Sequence, residues 1–191
     1  MKKLLVTGGA GFIGGNFIHY MLEHYPHYKI FNLDALTYAG DLTKHYDIEN
    51  MKTYHFIKQD ITNYQEIMQL FEKERFDFVV HFAAESHVDR SIKDPGIFVQ
   101  TNVLGTQVLL EASMKVGVTK FVHVSTDEVY GELDFDPTTF FTEDTPLQPN
   151  SPYSASKASS DFLVQAYHHT YGIPMNITRC SNNYGPYHFP E

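Results

Sequence analysis

Tryptophan is absent from the chain and cysteine occurs once, at Cys180. A lone thiol closes no internal disulfide, and no Cys/His spacing suits zinc, so a reducing, cytoplasmic setting is expected. Long apolar runs are lacking as well. Met1-Lys2-Lys3-Leu4-Leu5-Val6 starts like a secretion signal but breaks at Thr7-Gly8-Gly9; it is too short for a signal core, and no other run reaches membrane-spanning length. Positive charge is scarce: 14 Lys and Arg stand against 23 Asp and Glu, a formal net charge of -9 over 191 residues. Nucleic-acid-coating surfaces carry the opposite sign. Neither nucleic acid nor membrane is therefore expected as a partner. The eleven histidines include a loose group at His19, His24 and His27, but no carboxylate or thiol pattern accompanies it, so a solvated helix face is expected and no metal.

What is present is a globular composition, 42% hydrophobic and 15% aromatic, in a length that supports one generous domain. Its most informative stretch is Thr7-Gly8-Gly9-Ala10-Gly11-Phe12-Ile13-Gly14-Gly15, directly after Leu4-Leu5-Val6. A strand that ends in glycines and opens into a helix offers bare N–H groups and a positive helix end to a pyrophosphate. Gly8 permits the tight turn, Gly11 lets the backbone approach phosphate, and Gly14 lets the helix pack against the strand. The following helix, Phe12 to His24, carries Phe17, Ile18, Met21 and Leu22 at helical spacing, which gives it a core face. Asp34 closes the next apolar run, twenty residues after Gly14, where a ribose-binding carboxylate is expected. An acid there favours a free 2′-hydroxyl and repels an added phosphate, which points to NAD and away from NADP.

Further along, apolar runs alternate with helical patterns: Tyr54–Ile57, helix Tyr64–Lys73, Phe78–Phe82, a helix with Asp94 as its N-cap and Pro95 as its first residue that runs to Lys115, Phe121–Ser125, a helix to Tyr171, and Asn176–Arg179. Six strands separated by helices imply an α/β, Rossmann-type doubly wound parallel sheet, covered on both faces, with ligands above the strands' carboxyl ends. The residues just past each strand thus become site candidates. Ala83 and Ala84 suit a backbone that a flat cofactor passes closely. Asp60 has two readings, a hydrogen bond to an adenine amino group or a helix N-cap. In the helix that ends at Gly117, Phe98, Gly105, Val108, Leu109 and Ala112 form a stripe, part of it core and the rest available to a partner helix of another subunit.

Ser151 and Pro152 read as the N-cap and first residue of the helix that stops at Gly172. Tyr153 and Lys157 then share a face at its positive end, four residues apart. An ammonium and a helix N-terminus both stabilise a phenolate, which makes a phenol with an ordinary pKa near 10 usable as a base. Thr126-Asp127-Glu128 follows strand Phe121–Ser125. Adjacent carboxylates repel and invite unequal proton affinities, one acid and one base; acids that face water or cap a turn are the plain alternative.

Taken together, Ala83-Ala84-Glu85-Ser86-His87-Val88-Asp89-Arg90-Ser91, Ser125-Thr126-Asp127-Glu128-Val129-Tyr130-Gly131, Ser151-Pro152-Tyr153-Ser154-Ala155-Ser156-Lys157 and Arg179-Cys180-Ser181-Asn182-Asn183-Tyr184-Gly185-Pro186 resemble the dTDP-glucose 4,6-dehydratases, extended short-chain dehydrogenase/reductases. The likeness spans essentially the whole chain, and Thr-Asp-Glu is its most specific part. Sugar-nucleotide 4-epimerases share the glycine loop and the Tyr-x-x-x-Lys pattern but not the acidic pair. The resemblance implies that Tyr153, helped by Lys157, deprotonates the glucose 4-hydroxyl, Glu128 removes the C5 proton and Asp127 protonates the departing C6 hydroxyl. Thr126 would bond the sugar near its 4-oxygen. It further implies NAD contacts at Phe12, Ile13, Asp34, Ala35, Leu36, Thr37, Asp60, Ile61, Phe82, Ala83, Ala84, Glu85, Ser86, Thr101 and Asn183, with Ser86 and Asn182 also touching a nucleotide-sugar substrate. The helix ending at Gly117 and the Tyr153 helix resemble the pair that builds a four-helix homodimer interface. Residues 1–191 are expected to form an NAD-binding domain that carries the catalytic residues. Family members continue past His188-Phe189-Pro190-Glu191 into a smaller domain that closes over the nucleotide. A non-catalytic NAD-binding module is the alternative of a different class.

Overall fold

The computed structural model describes residues 1–133 and 138–188; of the segment His188-Phe189-Pro190-Glu191, the last three residues lie outside them. Strands β1 (Lys2–Thr7), β2 (Tyr28–Asp34), β3 (Tyr54–Lys58), β4 (Phe78–His81), β5 (Lys120–Thr126) and β6 (Met175–Cys180) alternate with helices. They form one parallel sheet in the order β3-β2-β1-β4-β5-β6, the doubly wound arrangement the alternation implied. The central strands are buried on both faces because helices cover both, so even their polar residues Thr7, Asn32, His81 and His123 are buried. Successive side chains therefore serve different layers: Leu4, Val6 and Ile30 join Ile18 and Leu22 of α1 (Phe12–His24) on one face. Leu5, Phe31 and Val79 join Ile67 and Phe71 of α2 (Tyr64–Glu74) on the other, together with Leu109 of α5 (Thr106–Val116).

The helix expected from Asp94 to Lys115 is more articulated than its pattern suggested. A short α3 (Val88–Lys93) precedes it, α4 spans Pro95–Phe98, a wider π-type stretch covers Val99–Gly105, and α5 ends at Gly117 in the left-handed conformation, φ 72°. The stripe Phe98, Gly105, Val108, Leu109 and Ala112 is buried. Pro95 is the first residue of α4 as expected, but the Asp94 side chain caps nothing. The N-cap reading of Asp60 is corrected as well. Its carboxylate accepts from the backbone N–H and hydroxyl of Thr62, both at 2.8 Å, while Asn63 caps α2. The final helix, α6 (Pro152–Tyr171), begins as read, with Ser151 and Ser154 in a reciprocal capping box, and ends at Gly172, φ 75°. Among the described residues no helix is long and apolar enough to cross a membrane, and no His/Cys/Asp/Glu group has the arrangement of a metal site.

Candidate active site

Strand order reverses between β1 and β4, whose following loops diverge to opposite faces of the sheet and leave a crevice, the usual ligand position in such sheets. A cavity of about 480 Å³ opens there. One wall is the glycine loop. Gly8 has φ 71°, and a Cβ on it would sit 2.6 Å from the Ala83 backbone nitrogen; a Cβ on Gly14 would strike the Gly8 carbonyl. Glycine is required at both positions because backbone meets backbone. The buried Asp34 carboxylate accepts from the N–H groups of Ala10 at 2.9 Å and Leu36 at 2.8 Å. Burial raises its pKa, against those two hydrogen bonds and the Lys44 charge. It therefore fixes the loop while still lining the cavity.

The cavity brings together residues from both halves of the chain. Gly8, Gly11, Phe12, Ile13, Gly14, Asp34, Ala35, Thr37, Asp60, Ile61, Phe82, Ala83, Ala84, Glu85, Ser86, Thr101, Thr126, Glu128, Tyr153, Lys157, Asn182 and Asn183 all line it. Two of the residues singled out from sequence are not in that lining. Leu36 contributes its backbone N–H to Asp34 at φ 56°, and Asp127 lies outside the lining, at the start of the 3-10 turn Asp127–Tyr130 and between the lining residues Thr126 and Glu128. Thr126 caps that turn, its hydroxyl accepting from the Glu128 N–H at 3.3 Å. Burial, then the Asp127 carboxylate, push the Glu128 pKa up, which moves it toward the range of a usable base.

On α6, Tyr153 and Lys157 are both buried, 8% and 3% exposed. The Lys157 ammonium donates to the Val124 carbonyl at 2.8 Å. Burial pulls its pKa down to about 8, opposed by Asp161 and Cys180.

Sequence reasoning did not single out the residues that support this lining. Asn102, in the π-type stretch, grips the Glu85 peptide twice: its Oδ1 accepts from the Glu85 N–H at 2.8 Å and its Nδ2 donates to the Glu85 carbonyl at 2.9 Å. The same Nδ2 donates to the Ser156 hydroxyl at 2.8 Å, which in turn donates to the Tyr153 carbonyl at 2.7 Å. The loop beside the cofactor crevice is thereby locked to the Tyr153 helix. Tyr38 lies under the Arg90 guanidinium, 4.0 Å from Cζ to the ring centre, and Arg90 pairs with Glu85 at 3.1 Å. Ser125, Cys180 and Ser181 also line the cavity, and their places at strand ends were the available signal. Tyr38 and Asn102 gave none, because their partners Arg90, Glu85 and Ser156 lie far away in sequence; Arg90 stands within the segment 83–91 that carries the resemblance, which implied no role for it.

A family profile described as GDP-mannose 4,6 dehydratase matches residues 5–191. A dTDP-glucose 4,6-dehydratase of Xanthomonas campestris pv. campestris is 54% identical over 201 residues, covering all of this chain and 56% of that protein. The chain thus spans about half the length of this curated relative. Among solved structures, a dTDP-glucose 4,6-dehydratase of Streptomyces venezuelae with NAD bound superposes with a TM-score of 0.93 at 48% identity, over 98% of this chain and 58% of the other. A Thermus thermophilus UDP-glucose 4-epimerase, also with NAD, gives 0.88 at 33% identity over 99% of this chain and 58% of the other. With a profile match that runs almost from end to end over a doubly wound sheet and its crevice, the chain belongs to the GDP-mannose 4,6 dehydratase family.

Proposed function

We propose that this chain is the NAD-binding and catalytic portion of a dTDP-glucose 4,6-dehydratase, which turns dTDP-glucose into the 4-keto-6-deoxy sugar nucleotide and water. The observation that carries this reading is the meeting of Glu128, Thr126, Tyr153 and Lys157 in the cavity that the glycine loop walls. The loop fits a dinucleotide: Gly8 and Gly14 let its backbone close against Ala83 and against itself, which brings the N-terminus of α1, from Phe12 onward, to the cavity, where a helix start suits a pyrophosphate. Asp34 suits the ribose, and Ile61, packed on Gly105, offers an apolar edge to the adenine. When bound, NAD supplies a two-electron acceptor for C4 and returns the hydride to C6.

The remaining work falls to side chains. Tyr153 takes the 4-hydroxyl proton, its phenolate favoured by the Lys157 ammonium and the N-terminus of α6. The resulting C4 ketone acidifies C5–H. Glu128, its proton affinity raised by burial, removes that proton, Asp127 protonates the leaving C6 hydroxyl so that water departs, and the Glu128 carboxyl returns its proton to C5 as C6 takes the hydride. Thr126 hydrogen-bonds the sugar near the 4-oxygen, and the amides of Asn182 and Asn183 bind diphosphate without adding charge. Exposed Val99 and Leu104 on the π-type stretch that leads into α5, with Phe162 on α6, support a homodimer through four helices, which light scattering would test.

Incubation of the chain with dTDP-glucose and NAD, followed by detection of the 4-keto-6-deoxy product, tests the reading, with Glu128→Gln as control. A galactose-configured product without loss of water would favour the epimerase. NAD binding without any product would favour a non-catalytic module, an outcome that the 56% coverage of the relative keeps in play.

A further inference from the structure

Behind Lys157 lies a charged pair that the reaction scheme does not use. Asp161, one helical turn further along α6, is fully buried, and its Oδ2 accepts from Arg179 Nε of β6 at 2.8 Å. His123 of β5 stands 3.4 Å from the other carboxylate oxygen. Burial holds the His123 pKa down at about 4, so the ring is neutral near pH 7. Arg179 also donates from Nη1 to the Tyr130 hydroxyl at 2.8 Å, on the same turn as Asp127 and Glu128. The groups that face Lys157 are thus Asp161 of α6, the neutral rings of His123 and His81, and the Cys180 thiol, with Arg179 reaching it through Asp161.

We propose that the Asp161–Arg179 ion pair is a positioning pair that sets how tightly Lys157 holds its proton, and through Lys157 the readiness of Tyr153 to act as a base. Burying an unpaired carboxylate or guanidinium is costly, and paired they are nearly neutral together. Lys157 is then left as the net cation of the buried cluster, one helical turn from Tyr153 on the same face of α6. Loss of either partner upsets this balance with opposite sign. Without the carboxylate, two buried cations repel and Lys157 releases its proton more easily. Without the guanidinium, the carboxylate is uncompensated and Lys157 holds its proton more firmly.

The role for Tyr153 rests on the dehydratase reading, but the pair's effect on Lys157 can be measured without turnover. The chain is labelled with [ε-13C]lysine, the Lys157 signal is assigned by its loss in Lys157→Met, and its pH titration is followed by NMR. Asp161→Asn is expected to lower the midpoint and Arg179→Gln to raise it, each by about half a pH unit or more, a threefold change in acid constant. Arg179→Lys should stay with the parent. Shifts in the same direction, or none in variants that melt cooperatively, overturn the proposal, since merely loosened packing has no reason to produce opposite signs. If Asp161→Asn does not fold, Arg179→Gln against Arg179→Lys decides alone. Opposite shifts in a chain that gives no product would leave the pair standing and remove only the catalytic reading.

Discussion

The two walls of the cavity are built by opposite means. Around β1 and β2 the protein prepares a ligand site by leaving side chains out: Gly8 and Gly14 bring backbone against backbone, and the one carboxylate, Asp34, is spent largely on holding N–H groups of the loop. Around β5, α6 and β6 it places side chains in a buried position and surrounds each with a partner: Lys157 with the Val124 carbonyl and Asp161 with Arg179; Asn102 of the π-type stretch ties α6 to the loop after β4 through Ser156 and Glu85. A wall made of backbone recognises what every dinucleotide has in common. A wall made of paired side chains sets proton affinities, and these select a reaction.

If this division holds, damage to the two walls should separate in kinetics. Tyr153→Phe and Lys157→Met are expected to reduce turnover by about 10³-fold, roughly 4 kcal/mol of barrier, with NAD affinity changed only a few-fold. Gly8→Val should do the reverse. At φ 71°, with Ala83 backbone 2.6 Å from the new Cβ, it forces the loop apart, and NAD affinity should fall by about 10- to 100-fold alongside roughly 2–4 kcal/mol of stability. Equilibrium NAD titration beside single-turnover product formation checks both. Loss of NAD binding in Lys157→Met, or unchanged binding in Gly8→Val, would break the comparison.

The same division explains what the sequence disclosed. The glycine loop, Asp34 and the strand alternation are local signals, readable because spacing along the chain equals spacing in space. Ser151 was legible as a cap and Tyr153 with Lys157 as one helical face for that reason. Asn102 was not. Its three bonds go to Glu85 and Ser156, 17 and 54 residues away, and a polar residue in an apolar helical pattern carries no sign of whom it serves. Asp94 and Asp60 misled in the other direction, because an acid before a helix fits a cap, an Asx turn or neither, and only the backbone geometry decides.

Asn102→Ala probes the seam between the walls. It leaves the Glu85 peptide without its double partner in a buried setting, which should cost about 2–4 kcal/mol in denaturant unfolding. Because that peptide lies next to Ser86 in the cavity, both NAD affinity and turnover should decline, each by less than in the variants above. Asn102→Asp keeps the acceptor for the Glu85 N–H but loses the donor to its carbonyl, and should fall between Ala and the parent. A variant that lost turnover alone would place Asn102 wholly on the catalytic side.

The smallest effect concerns the support beneath the glycine loop, where acid should find a weakness. His45 is 1% exposed, and its Nδ1 meets the Tyr54 hydroxyl at 2.8 Å and the Asn32 amide at 3.3 Å. Burial, with the nearby His19 and Lys44, lowers its pKa to about 4. The unfolded chain thus binds this proton near pH 6.5 and the folded chain only near 4. Stability from this group is therefore complete above pH 6.5 and falls as pH drops toward 4, by roughly 2 kcal/mol between pH 7 and 4.5. Urea unfolding at those two pH values should show the loss. His45→Gln, which keeps a polar partner for Tyr54 but cannot titrate, should lose about 1 kcal/mol at pH 7 and show a correspondingly flatter fall toward pH 4.5. His123 adds an acid loss of the same sign from beside Asp161 and Lys157, so a residual slope in His45→Gln is expected; if the slope is unchanged, His45 is not the acid-sensitive support of the cofactor wall.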